Sequence, residues 1–217
     1  MNRFLVFVFA LFCFTANINA QKSQNDARKA AKSRLTEKVT KDVRKEAKKF
    51  EKEGWLTAPG ALPLAKQFER SQLKELEEDA NGYPKFIMGE GMSIAQNYDA
   101  AKMQATEIAK QNLAGKIQTE VTALIETSVN NKQLSDEDAT SAVETVISSK
   151  SLISQSIGRT LPMVECYRVK ENKNKEVMVR LAYSSDLAMQ AAKKAIQQEL
   201  AAKNKDLHDK LSQILGW

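Results

Sequence analysis

Few side chains in this sequence are of types that perform chemistry, and their spacing does not assemble a site. His208 is the only histidine, and it stands between Leu207 and Asp209 in a pattern of helically spaced leucines. One imidazole without a cysteine or a second histidine nearby does not form a zinc site, and a catalytic triad would require a serine from far along the chain. We therefore expect a structural or solvent-exposed histidine.

Three short motifs suggest chemistry but favour a structural interpretation. Gly89-Glu90-Gly91 begins like a dinucleotide-binding loop, but Ile94 stands where the third glycine belongs, which predicts a bulged or closely packed strand. The acids at 77–79 end a helix before a turn, where nothing apolar would shift their pKa. The acids after Ser135 lack calcium-loop spacing and match a helix capping box. The sequence thus predicts no catalytic residue, cofactor or metal ligand, and a protein that is not an enzyme.

The first twenty residues have the layout of a secretory signal peptide. A positive end precedes an apolar run over 4–14 and a polar stretch that ends at Ala20. The run is shorter than the roughly 20 apolar residues that span a bilayer. Cleavage after Ala20 would leave Gln21 as the mature start, and an uncleaved anchor is the alternative. We expect an exported protein, periplasmic or outer-membrane-associated in a Gram-negative bacterium, with no transmembrane segment in the mature chain.

The cysteines support no disulfide framework. Cys13 lies inside the apolar run, so Cys166 would be the only thiol of the mature chain. An intramolecular disulfide is then impossible even in an oxidising compartment, and small disulfide-stapled folds are excluded. We expect Cys166 to be buried and inert, with an intermolecular disulfide or a reactive thiol as the alternative.

The positive charge of the chain is concentrated in residues 22–53, a basic arm. This segment holds twelve Lys or Arg and six Asp or Glu, while the whole chain has a formal net charge of +6. No glycine or proline interrupts it, and small or apolar residues recur every four positions from Ala27 to Ala47. The pattern predicts a long helix with a narrow apolar seam. A leucine stripe after residue 203 could pair with that seam.

The basic arm is the candidate contact surface. It could dock on an envelope protein or a second copy of the chain, or it could attract an anionic polymer or lipid. Nucleic acid is disfavoured because six acids are interleaved and aromatic stacking platforms are absent. The candidate contact residues are Arg28, Lys32, Lys41, Arg44, Lys45 and Lys48.

The chain divides into four segments. The predicted boundaries are 1–20 for the signal peptide, 21–54 for the basic arm, 55–84 for a connector with a short helix, and 85–217 for a body with an extended C-terminal helix. Two prolines and two glycines between Gly54 and Pro63 disfavour regular structure there. We expect Trp55 and Leu56, in the same connector, to hold it on the body.

Periodicity in the body predicts an α+β fold. Alternating residues indicate an antiparallel hairpin formed by 155–170 and 175–183, with 85–93 as a further strand. Helical spacing predicts a long helix over 99–129 and a final one over 184–215. The expected architecture is therefore long helices packed on a small antiparallel sheet of about three strands, with a charged N-terminal helical arm.

One helix carries a family resemblance. The run Ala101-x3-Ala105-x3-Ala109-x3-Leu113-Ala114-x2-Ile117-x3-Val121, after a glycine-containing strand, resembles the LPP-twenty type lipoprotein domain of bacterial envelopes. The resemblance covers about residues 85–190 and implies an α+β unit in an envelope-associated protein, without catalytic residues to transfer. The sequence departs from that family because it lacks the lipid-accepting cysteine. The basic arm lies outside the match, so a flagellar role is not implied.

Two functional hypotheses follow. The first is an exported, non-enzymatic cell-envelope protein that acts through protein–protein contacts, as a structural or assembly accessory. The alternative is a binder of anionic envelope polymer or lipid through the basic arm. An unrecognised enzyme would require a deep pocket with convergent polar groups.

Overall fold

The computed structural model describes residues 40–131 and 135–201, together with residues 207, 209 and 211. Within these residues, six helices pack on a four-stranded antiparallel sheet, which confirms the α+β class and adds one strand to the expected three. The elements are α1 (40–52), β1 (Leu56–Thr57), α2 (Leu64–Glu75), β2 (Phe86–Ala95), α3 (Tyr98–Asn130), α4 (Asp136–Ser148), α5 (Lys150–Ser156), β3 (Leu161–Val169), β4 (Lys175–Ser184) and α6 (Ser185–Ala201).

The additional strand lies in the connector, where proline and glycine led us to expect no regular structure. The strand order is β1-β3-β4-β2, and β1 pairs with β3 through Leu56 opposite Tyr167. Trp55 holds this segment down: it is buried, and its ring lies 5.6 Å from that of Phe50. Leu56 is half exposed, so the expectation that it also anchors the connector is wrong. Burial of the neighbouring Trp55 is enough to hold the two-residue strand β1 at the edge of the sheet.

Alternation along β4 sorts the core into two halves. Val177, Val179, Leu181 and Tyr183 lie in a large buried cluster with α3, α4, α5 and α6. Met178 and Ala182 lie in a second cluster with α1 and α2. This is the division of faces that the alternation of side chains along a strand predicts. The sheet is therefore the middle of three layers, with two helices on one side and four on the other.

The predicted cap of α4 is confirmed. Ser135 is the N-cap of α4, and its hydroxyl oxygen accepts a hydrogen bond from the backbone N–H of Asp138 at 3.2 Å. Pro162 stands at an irregularity of β3, where the register with β4 shifts before Val164. Proline donates no hydrogen bond, and a bulge is one of the few places where a sheet tolerates it.

The C-terminal leucines pack on the body. Leu207 and Leu211 are fully buried in the cluster that contains α3 and α4. The described residues of the basic arm lie on the opposite face of the sheet, with Val43 and Ala47 in the other cluster. Leu207 and Leu211 therefore do not pair with the described part of the arm, although the sequence led us to expect this pairing. They are buried against the helices of the larger cluster instead.

Where β1 ends, a side chain of α2 continues to cover the edge of β3. The backbone N–H of Glu165 donates to Oε1 of Gln67 at 2.7 Å. Nε2 of Gln67 donates in turn to the carbonyl oxygen of Leu62 at 2.7 Å. Gln67 is buried, so both partners would lose their hydrogen bonds in a site with little access to water.

We therefore expect Gln67→Met to lower the free energy of unfolding by about 1 to 3 kcal/mol, the range for a buried polar group left without its partner. The matched control is Gln72→Met on the same helix, a half-buried position that we expect to change stability by less than about 0.5 kcal/mol. Urea denaturation of both variants measures the difference. Equal midpoints for the two variants would show that the Gln67 amide does not stabilise this edge.

Candidate binding surface

Residues 40–52 of the basic arm are fixed on the body of the protein. Val43 and Ala47 are buried against the sheet, and the Phe50 ring packs edge-on against that of Phe68 at 5.0 Å between centroids. At the N-terminal end, the Thr40 hydroxyl donates to Oε1 of Glu69 at 2.9 Å. These contacts determine which side of α1 faces outward.

The side of α1 that faces away from the sheet is lined with cations. All six Lys and Arg residues between 40 and 52 are exposed. At 100° per residue, they fall within a sector of about 140° that is centred opposite the buried seam of Val43 and Ala47. The three acids of the helix lie outside this sector, toward its flanks. They are Asp42, Glu46 and Glu51.

Four lysines form the outermost row of this sector. Lys41, Lys45, Lys48 and Lys52 lie within about 60° of one another around the helix and span about 17 Å along it. Lys45 Nζ lies 3.9 Å from a carboxylate oxygen of Asp42, and both side chains are largely exposed. Such an exposed pair is worth little, so Lys45 keeps most of its positive field.

The structure places four of the six predicted contact residues. Lys41, Arg44, Lys45 and Lys48 lie on α1 and are exposed. Arg28 and Lys32, the signal-cleavage pair Ala20 and Gln21, and His208 lie outside the described residues. The prediction omitted Lys49 and Lys52, although the helical spacing from Val43 that selects Lys45 and Lys48 also selects them.

Two further cations come from α2, which sequence reasoning did not consider. Lys66 and Arg70 are exposed and stand opposite the buried Phe68 on the helix. Lys66 Nζ lies 2.7 Å from Glu69 Oε2, and this pair contributes to the lowered pKa of the Glu69 carboxyl. Arg70 Nη2 donates to the carbonyl oxygen of Pro162 at 2.6 Å. Both side chains extend the basic surface beyond α1.

A second charged group lies at the turn end of the β3–β4 hairpin and is structural. Arg168 Nε donates to Oε2 of Glu176 at 2.5 Å, and Lys170 Nζ lies 3.5 Å from the same oxygen. The Arg168 guanidinium also covers the Trp55 ring at 4.7 Å. Burial of Glu176 opposes ionisation, but the hydrogen bond and charge of Arg168 and the charge of Lys170 outweigh it and hold the pKa of Glu176 below its usual 4.5.

This lowered pKa makes part of the stability dependent on pH. A carboxyl with a depressed folded-state pKa stabilises the protein above its unfolded pKa, and that contribution is lost as the pH falls through the folded value. We expect Glu176→Gln to lower the free energy of unfolding at pH 7 by about 1.5 to 3 kcal/mol. The deficit relative to the parent should shrink on going from pH 5 to pH 3.

Urea titrations at pH 7, pH 5 and pH 3 check this expectation, with Glu171→Gln in the exposed turn as the matched control. A Glu176→Gln deficit that is the same at pH 3 as at pH 7 would contradict the role of the ionised carboxylate.

A third group ties the start of α3 to β3. The Tyr98 hydroxyl donates to Oε1 of Glu165, and Lys102 Nζ lies 2.7 Å from the same oxygen. Burial and the neighbouring carboxylate raise the pKa of the Tyr98 hydroxyl above its usual value. The rings of Tyr98 and Tyr167 meet edge-on at 5.3 Å. The Tyr183 hydroxyl bonds to backbone groups of α6 and of the segment before β3.

The Cys166 thiol is placed in the core, and two of the acids at 77–79 have local partners: Glu77 pairs with Lys74, and Asp79 accepts from the backbone N–H of Tyr83. Cys166 is fully buried, as predicted, and burial raises the pKa of its thiol to about 12. Over 40–131, 135–201 and the three further described residues, no three His, Cys, Asp or Glu side chains stand close enough to hold a metal ion. In the same part of the chain, no helix has the length and apolar character needed to cross a membrane.

Comparison with known proteins identifies no relative: no family model, curated protein or solved structure matches this chain. The resemblance to the LPP-twenty type domain therefore stays a hypothesis.

Proposed function

We propose that this is an exported, non-enzymatic cell-envelope protein that binds an anionic envelope polymer or lipid through the outer face of α1. One observation carries the proposal: a helix packed on the sheet holds six cations outward and keeps its three acids at the flanks. Export rests on the pattern of the first twenty residues. Of the two hypotheses that the sequence allows, this geometry favours the alternative.

Because α1 is fixed on the body, an anion can bind to it at a lower entropic cost. A helix held by Val43, Ala47 and Phe50 does not have to be ordered when a ligand arrives, so less binding free energy is lost to entropy. Because the cations are exposed, their attraction is long-ranged at low ionic strength and is screened within about 10 Å at 0.1 M salt. The expected signature is rapid, salt-sensitive binding with little sequence or shape specificity.

The test compares two variants of equal charge. In the first, the outer row is neutralised by replacing Lys41, Lys45, Lys48 and Lys52 with Gln. In the second, the same number of exposed lysines is neutralised elsewhere, at Lys116, Lys150, Lys173 and Lys194. Binding of the full chain to long-chain polyphosphate is measured by fluorescence anisotropy at several salt concentrations.

We expect the parent and the second variant to bind with affinity that falls steeply with added salt, and the first variant to bind on the order of a hundredfold more weakly. Equal weakening in both variants would mean that only net charge matters. Binding that does not respond to salt, or no binding by the parent, would also contradict the proposal.

Protein–protein contact remains a second candidate, because one edge of the sheet is open. β2 is an edge strand, and its Met92 and Ile94 side chains are 42% and 49% exposed. Asn112 Nδ2 donates to the Glu90 carbonyl at 2.7 Å, so the backbone of Glu90 faces away from β4. By alternation, the backbone groups of Met92 and Ile94 face the same open side. An extended segment of a partner could add to this edge.

Cross-linking in intact cells, with identification of the joined peptides, tests this candidate. If β2 is the contact, cross-links to one partner or to a second copy should depend on Met92 and Ile94 and disappear when both are replaced by Lys. Cross-links to random neighbours alone would argue against a specific protein partner.

A further inference from the structure

We infer that the anionic partner is the phosphate-bearing surface of a lipid bilayer, on which α1 and α2 lie together as one flat contact. The inference rests on the proposed function and narrows it from a general polyanion to a planar one. Two features of the described surface support it: exposed cations on two neighbouring helices, and an outward sector of α1 without apolar residues.

The cations cover an area because two helices supply them. Val43 of α1 and Phe68 of α2 are buried in the same cluster against the same face of the sheet. The sides of α1 and α2 that lie opposite these residues therefore both point away from the sheet and form one outer surface. Lys66 and Arg70 are exposed on that side of α2, where Lys66 pairs with Glu69 and Arg70 donates to the Pro162 carbonyl. A plane can touch both helices, whereas a linear polymer can follow only one row at a time.

The outward sector of α1 contains no apolar residue for insertion or for a protein interface. The outward sector of α1 consists of Lys and Arg alone, and the apolar seam of the helix is already buried in the body. A helix that inserts into a membrane keeps its apolar side for the lipid. Stable protein interfaces have aromatic or aliphatic anchors at their centre and are depleted in lysine. Contact with lipid headgroups alone needs neither an apolar side for insertion nor apolar anchors.

One helix of the layer on the other side of the sheet, α4, carries exposed acids. They are Asp136, Glu137 and Glu144. An anionic surface attracts the α1/α2 layer and repels α4, whereas the exposed Lys116, Lys150 and Lys194 of the α4 layer reduce this orienting effect. Lysine suits such a contact, because its ammonium is a mobile point charge that does not require a fixed bidentate partner.

The experiment measures sedimentation of the full-length protein with vesicles. The vesicles contain either phosphatidylcholine alone or phosphatidylcholine with about a third phosphatidylglycerol, a composition that gives an anionic surface. A double variant, Lys66→Gln with Arg70→Gln, removes the contribution of α2. Its matched control is Lys150→Gln with Lys194→Gln, and urea denaturation verifies that all variants are folded.

We expect binding to the anionic vesicles, at least tenfold weaker binding to the neutral ones, and loss of binding at high salt. The α2 double variant should bind anionic vesicles about tenfold more weakly than its control, but should bind polyphosphate about as well as the control. Suppose that polyphosphate binding depends on α1. If the protein then does not bind anionic vesicles, or if both double variants bind them equally, the inference is overturned and the proposed function stands. If neither probe binds, both fail.

Discussion

Replacement of Gly91 by alanine is expected to lower the free energy of unfolding by about 3 kcal/mol or more, near the upper end for overpacking a core. The reason is the direct contact of β2 with the backbone of α3. A Cβ at Gly91 would overlap the carbonyl oxygen of Ala105 and lie 2.5 Å from the backbone nitrogen of Ala109. Neither atom belongs to a flexible side chain, so the helix itself would have to move. Urea denaturation measures the loss.

Gly158→Ala is the control for this prediction. No atom lies within 4 Å of the position its Cβ would occupy, and its backbone needs no left-handed conformation. We expect a change within about 0.5 kcal/mol. A Gly91→Ala protein as stable as the Gly158→Ala protein would show that α3 does not pack as closely on β2 as described.

Phe68→Ala is expected to lower the free energy of unfolding by about 3 to 5 kcal/mol. Phe68 is 1% exposed at the centre of the α1/α2 layer, where its ring contacts Phe50 and lies 5.7 Å from the Arg180 guanidinium. Removing the ring leaves a cavity between both helices and the sheet. Removal of the Phe68 ring should therefore also weaken the packing of α1 on the body.

Leu76→Ala serves as the control, because Leu76 at the end of α2 is 41% exposed and should lose less than about 1 kcal/mol. Hydrogen exchange then separates the two effects: in Phe68→Ala, amides of α1 should exchange faster relative to those of β4. Full protection of α1 in that variant would contradict the role of Phe68 in holding the helix.

Local sequence patterns were sufficient wherever neighbours along the chain decide the structure. Alternation along β4 assigned Val177 and Met178 to opposite faces, since a strand has no other way to place successive side chains. Gly89 and Gly91 were correctly interpreted as packing glycines, because the missing third glycine excluded a phosphate loop. Ser135 capped its helix as its type and spacing predict.

Contacts between distant segments could not be predicted in this way. The seam of α1 is a few small residues, so nothing in it indicates that Val43 and Ala47 belong to the core of the sheet. The strand β1 exists because Trp55 is buried, which depends on Phe50 and Arg168 being close in space. The composition of the candidate surface was therefore predictable, whereas its orientation and the cations that α2 adds to it were not.

Hydrogen exchange of the α1 amides tests most directly the claim that the basic surface is part of the folded body. A short, lysine-rich helix on its own is marginally stable in water, so its amides would exchange almost as fast as those of an unfolded chain. If α1 is packed as described, the amides of residues 44–50 should be protected to nearly the same free energy as those of β4. Exchange at unprotected rates, while β4 remains protected, would show that the arm is free and would contradict the account.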